Sequence, residues 1–92
     1  MIKGLGKYQP LCTYLSNTKP DKNSLTLTFE DIEQILSFKL PLSAYKHNAW
    51  WANERQGHVQ AKAWLQAGWK TSDTVLGKTI TFIRNKENHP TN

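Results

Sequence analysis

Four tryptophans fall between residues 50 and 69 of this chain, at Trp50, Trp51, Trp64 and Trp69. Each indole buries on the order of 150–250 Å² when it enters a core. A chain of 92 residues hides only roughly 60–65% of the surface its unfolded form exposes. The fold must therefore be organised around this block. Adjacent side chains on a strand or turn point in different directions, so Trp50 and Trp51 are not expected to enter one core together. One should fill the core while the other caps it or lies at the surface. Asn53 would then bond nearby backbone or serve a surface site.

The elements on either side can be read from periodicity. Residues 1–7 hold little that would anchor them and read as a loose N-terminus. Pro10 suits the first turn of a helix, where its missing N–H costs nothing. Leu11, Tyr14 and Leu15 follow at helical spacing. Asn17 to Ser24 is polar, contains Pro20 and reads as a loop. Leu25 to Phe29 alternates as a short half-buried strand. Thr28 then fits an N-cap, with Asp31 three residues on and Glu30, Asp31 and Glu33 in the favourable first turn. Ile32, Ile35 and Leu36 give that helix its buried stripe. Leu42 to Arg55 has no clean period and predicts an ordered turn or short helix packed on the core. Gln56-Gly57 is a break. His58 to Ala67 predicts a helix with Ala61, Trp64 and Leu65 inward and Val59, Lys62, Ala63 and Gln66 outward. Gly68 ends it. Trp69 to Val75 and Thr79 to Arg84 predict a hairpin turning at Leu76-Gly77-Lys78, with Ile80 and Phe82 inward. Residues 85–92 read as a polar tail.

This order predicts one α+β domain over residues 8–84, in which the strand near Leu25 pairs with the C-terminal hairpin. Winged helix-turn-helix domains follow nearly the same order of helix, strand, helix, helix and two-stranded wing. The connection from Phe38 to Gly57 is far longer than the usual 3–4 residues of a helix-turn-helix.

A set of residues in this frame resembles an uncharacterised family of small bacterial and phage-encoded domains. It comprises Leu27-Thr28-Phe29, Ile32-Glu33, Ile35-Leu36, Leu40-Pro41, Ser43-Ala44, Trp50-Trp51, Asn53, His58, Ala61, Ala63-Trp64 and Ala67-Gly68-Trp69. Tyr8, Pro10-Leu11 and Tyr14-Leu15 fit the same pattern. The resemblance spans roughly residues 8–84 and implies one intact domain, without an activity to carry over.

Charge narrows the function. Residues 1–38 balance four lysines against four carboxylates, whereas residues 39–84 hold seven basic residues against Glu54 and Asp73. The whole net charge of +5 thus belongs to the second half, as suits a polyanion or an acidic protein surface. Lys46, His47, Arg55 and His58 flank the Trp50-Trp51 pair, and cations interleaved with aromatics are what a phosphate-plus-base contact needs. Lys62 and Gln66 could face a major groove. Lys70, Lys78 and Arg84 could reach the DNA backbone from the hairpin. The expected activity is non-enzymatic binding of nucleic acid, double-stranded DNA first. The alternative is a protein-interaction module, such as a phage-encoded inhibitor of a host nuclease or defence complex, anchored by an exposed indole.

Catalysis and cofactors find little support. His47, His58 and His89 lack metal-ligand spacing, and Cys12 has no partner for a disulfide or a metal. Cys12 reads as a small buried hydrophobe. No carboxylate pair or activated nucleophile is recognisable. No leader sequence and no span of roughly 18 apolar residues is present, so the expected location is the cytoplasm, or the interior of an infected cell.

Overall fold

The computed structural model describes residues 5–54 and 58–85. A 3-10 turn at Gly6–Tyr8 leads into α1, Gln9–Ser16. Strand β1, Ser24–Thr28, runs directly into α2, Phe29–Leu36. A short α3, Leu42–Lys46, and a second 3-10 turn, Asn48–Trp51, fill the long connection to α4, Val59–Gln66. The hairpin of β2, Trp69–Val75, and β3, Thr79–Arg84, completes the chain. The three strands form one antiparallel sheet in the order β1-β3-β2, so the strand near Leu25 does pair with the C-terminal hairpin. The fold is α+β.

Local chemistry explains the boundaries. Thr28 Oγ1 accepts from the Asp31 N–H at 2.9 Å and Asp31 Oδ2 accepts from the Thr28 N–H at 3.0 Å, a reciprocal capping box at the junction of β1 and α2. Such caps are worth about 1 kcal/mol. Gly68 follows α4 at φ 89° and Gly77 turns the hairpin at φ 77°, both left-handed positions that favour glycine. Ile80 and Phe82 are fully buried, as the alternation of β3 predicts.

The core lies between the helices and one face of the sheet. A chain of aromatic rings in contact runs through it. Trp64 stacks on Trp51 with centroids 5.8 Å apart and an interplanar angle of 20°, and it meets Phe82 from the sheet at 5.9 Å. Trp51 continues to Phe29 at 5.3 Å and to Trp50 at 4.7 Å. Trp50 in turn meets Tyr8 at 6.0 Å, and Tyr8 meets Phe38 at 5.7 Å. A buried indole N–H needs an acceptor. Trp51 Nε1 donates to the Ala44 carbonyl at 2.8 Å, Trp64 Nε1 to Asn53 Oδ1 at 2.9 Å, and Trp69 Nε1 to the Leu15 carbonyl at 3.1 Å.

Four details depart from the sequence reading. Tyr14 is 42% exposed, because Leu11, Cys12 and Leu15 already fill the inner stripe of a helix only two turns long. Ala63 is fully buried rather than outward, and Gln60 is buried with it, since α4 is packed on more of its circumference than an amphipathic surface helix. Leu5 is 1% exposed and packs in the core, so packed structure begins before Tyr8; residues 1–4 lie outside those described. At the other end, the Asn85 N–H donates to the Gly68 carbonyl at 2.8 Å, which ties down the first residue of the expected tail; residues 86–92 lie outside those described.

Candidate functional site

The Trp50–Asn53 segment is where the sequence reading placed its main site. Trp51 is 2% exposed and stands at the centre of the aromatic core. Trp50 is half-buried, edge-on to both Tyr8 and Trp51. The tight 3-10 turn points these neighbours in different directions, and both still pack on the same cluster, Trp51 inside it and Trp50 on its rim.

Asn53 is exposed as a residue, yet both ends of its carboxamide are engaged. Oδ1 accepts from Trp64 Nε1 and from the Thr71 N–H, both at 2.9 Å. Nδ2 donates to the Thr71 carbonyl at 3.0 Å. The Thr71 hydroxyl donates to the Trp51 carbonyl at 2.7 Å and lies 3.0 Å from Asn53 Oδ1. The amide thus meets the outer edge of β2 as a neighbouring strand would, and both lone pairs of its oxygen are taken. A bidentate contact to adenine needs that oxygen free. Asn53 is a structural staple between the tryptophan turn, α4 and the sheet. Thr71, which completes the staple, carries no sequence signal of its own.

Arg84 is committed in the same way. Its Nε donates to the Lys22 carbonyl at 2.9 Å and its Nη2 to the Lys19 carbonyl at 2.9 Å, with the Thr18 carbonyl 3.5 Å away. The guanidinium lies 4.1 Å from the Trp69 ring centroid, in cation–π range. These contacts fasten the loop after α1 to the end of β3.

The remaining positions are distributed over the surface. Lys46 and His47 are exposed at the end of α3. His58 is half-buried at the N-cap of α4, and its Nδ1 is buried without a hydrogen-bond partner among the described residues. Lys62 is half-buried and Gln66 exposed. With Val59, 38% exposed, they form a stripe about 60° wide at 3.6 residues per turn, the one open side of α4. Lys70 is half-buried on β2 and engaged within the fold. Lys78 is exposed at the hairpin tip, where its carbonyl accepts from the Phe29 N–H at 3.0 Å. Arg55 lies outside the described residues.

A second polar centre escaped the sequence reading. Glu33 Oε2 accepts from the Tyr45 hydroxyl at 2.6 Å and from the Leu40 N–H at 2.9 Å. Burial would raise the Glu33 pKa, but the Tyr45 hydroxyl, the Leu40 N–H and the Lys39 charge outweigh it and hold the carboxyl below its usual range. Tyr45 is pushed up to about 12, first by donating to Glu33 and then by burial. The pair buckles α3 onto α2, so Glu33 does more than complement the helix dipole.

Among the described residues no three His, Cys, Asp or Glu side chains gather as a metal-binding group, and no helix is long and apolar enough to cross a membrane. No curated protein and no solved structure matches the chain. Residues 8–86, nearly the whole of the fold just described, match the family termed domain of unknown function (DUF7662), and the chain belongs to that family.

Proposed function

We propose that this domain binds nucleic acid without catalysis, duplex DNA in particular, through the open stripe of α4, the β2–β3 hairpin and Lys46 at the end of α3. The observation that carries the reading is topological. A helix followed directly by a two-stranded hairpin, with β1 added to β3, is an order of elements that winged helix-turn-helix domains also use, and this supports the reading. Here that helix presents Lys62 and Gln66, and the hairpin tip presents Lys78. The net charge of +5 supports the same reading, since phosphate contacts supply most of the affinity of such proteins. The internal engagement of Trp51, Asn53 and Arg84 weights the contact toward phosphates rather than stacked bases.

The test is fluorescence anisotropy of a labelled duplex titrated with the protein over a salt series. Three phosphate contacts, from Lys46, Lys62 and Lys78, correspond to a slope of about −2.7 in log K against log salt, at about −0.9 per contact. Absence of saturable binding at low salt, or binding that ignores salt, would refute the proposal. A role as a protein-interaction module of bacterial or phage origin has one observation in its favour, the half-buried Trp50 on the rim of the core. That role predicts a protein partner whose capture survives nuclease treatment and is lost with Trp50→Ala.

A further inference from the structure

The two edges of the sheet are treated differently. On the β2 side, the Asn53 amide occupies the outward N–H and carbonyl of Thr71, and a register shift interrupts the strand between Thr71 and Asp73. Both are ways of blunting an edge against further pairing. The β1 side has neither. The Phe29 N–H donates to the Lys78 carbonyl and the Arg84 N–H to the Asn23 carbonyl, which sets the odd-numbered residues of β1 as the hydrogen-bonded pairs with β3. The even-numbered residues therefore turn their backbone groups outward. The Thr28 N–H is taken by Asp31. Ser24 and Thr26 are left presenting one N–H and one carbonyl each.

We propose that two copies of the chain associate through this edge, β1 against β1 about a two-fold axis, to make one six-stranded antiparallel sheet. Centring the pairing on Leu25 sets Ser24 opposite Thr26 of the second copy, and the reverse, so that all four outward groups of each edge are used. Three further features fit a second copy. Two open hollows of about 400 and 370 Å³ border the edge and meet at Tyr14. The half-buried Leu25 lines one hollow and the half-buried Ile35 the other, giving an apolar strip for the two Leu25 side chains to cover. The edge is also charged in opposite senses at its ends, with Lys19, Asp21 and Lys22 before β1, one net positive charge, and Glu30 and Asp31 after it, all exposed. An isologous antiparallel pairing brings each basic end onto the acidic end of the other copy. An unrelated strand would need that complementary pattern, which the chain itself already carries.

Sedimentation equilibrium and light scattering from micromolar to millimolar protein test the proposal. The mass should rise with concentration from 10.6 kDa toward twice that value. Thr26→Pro removes an outward N–H, a place where sheet edges tolerate proline, together with the Thr26–Thr81 hydroxyl bond, and should raise the dissociation constant at least about tenfold in a chain that still folds. Lys22→Glu should weaken association, and Lys22→Glu with Glu30→Lys should restore it. If Thr26→Pro prevents folding, the charge swap alone decides. A chain that stays monomeric at millimolar concentration overturns the proposal, as does a dimer indifferent to the charge swap.

Discussion

Replacing Asn53 by alanine separates a structural residue from a contact residue. The substitution leaves the Trp64 indole N–H, inside a side chain with no exposed surface, without its acceptor. An unsatisfied buried donor costs about 1–3 kcal/mol. The bonds to the Thr71 backbone are exposed, and water replaces them at a cost of about 0.5 kcal/mol each. The total is about 2–4 kcal/mol, against a stability of about 5–14 kcal/mol for a domain of this length. At about 4–8 °C per kcal/mol, the melting temperature should fall by roughly 8–32 °C. Urea unfolding followed by tryptophan fluorescence and by circular dichroism measures it. Asn53→Asp keeps acceptor oxygens for Trp64 and the Thr71 N–H but faces the Thr71 carbonyl with a carboxylate, so it should lose about half as much. An Asn53→Ala protein within about 0.5 kcal/mol of the parent, yet impaired in binding duplex DNA, would refute the staple and return Asn53 to the surface role that its sequence setting suggests.

Other consequences can be checked separately. Arg84→Lys should lose about 1–3 kcal/mol, because one ammonium cannot reach both the Lys19 and Lys22 carbonyls and stack on Trp69 as the planar guanidinium does; hydrogen exchange in the loop after α1 should speed up. The folded Glu33 carboxyl lies below its ordinary 4.5, so its contribution to stability is complete above the usual carboxylate range and disappears as pH falls through the lowered value; Tyr45→Phe should flatten that acid limb of the stability curve. Tyr45 is raised from 10.0 to about 12, so its contribution is complete below pH 10.0 and disappears as pH rises toward about 12, which denaturant melts in alkaline buffer would show. Lys62→Ala with Lys78→Ala should lower affinity for duplex DNA and reduce the salt slope by about 1.8, two contacts' worth, without moving the melting temperature.

What the sequence revealed and what it hid follow from the range of each interaction. The capping box of Thr28 and Asp31, the left-handed glycines at 68 and 77 and the alternation through Ile80 and Phe82 are local, and their spacing alone declares them. The pairing of β1 with β3 joins distant segments, yet it follows from element order once each strand has one apolar face. Tyr14 was misplaced because periodicity gives a direction for a side chain, not the competitor that fills it; Cys12 and its leucine neighbours had taken the inner side. The commitments of Asn53 and Arg84 depend on where a side chain ends, against backbone 18 residues away in one case and 62 and 65 in the other. An Asn beside two tryptophans, or an Arg ending a strand, looks the same whether its head group meets solvent or a buried carbonyl. Glu33 was hidden by its own plausibility, since a carboxylate near a helix N-terminus already has a sufficient reason to be there.

The amide that covers Thr71 also bears on how this sheet can grow. A sheet with both edges open adds strands at either end and has no natural size, which is how ordered aggregates lengthen. A sheet with one edge sealed can join a partner only once, after which the assembly presents two sealed ends and stops. Asn53 thereby bears on propagation as well as holding Trp64, and its loss would leave the register shift between Thr71 and Asp73 as the remaining guard on that edge.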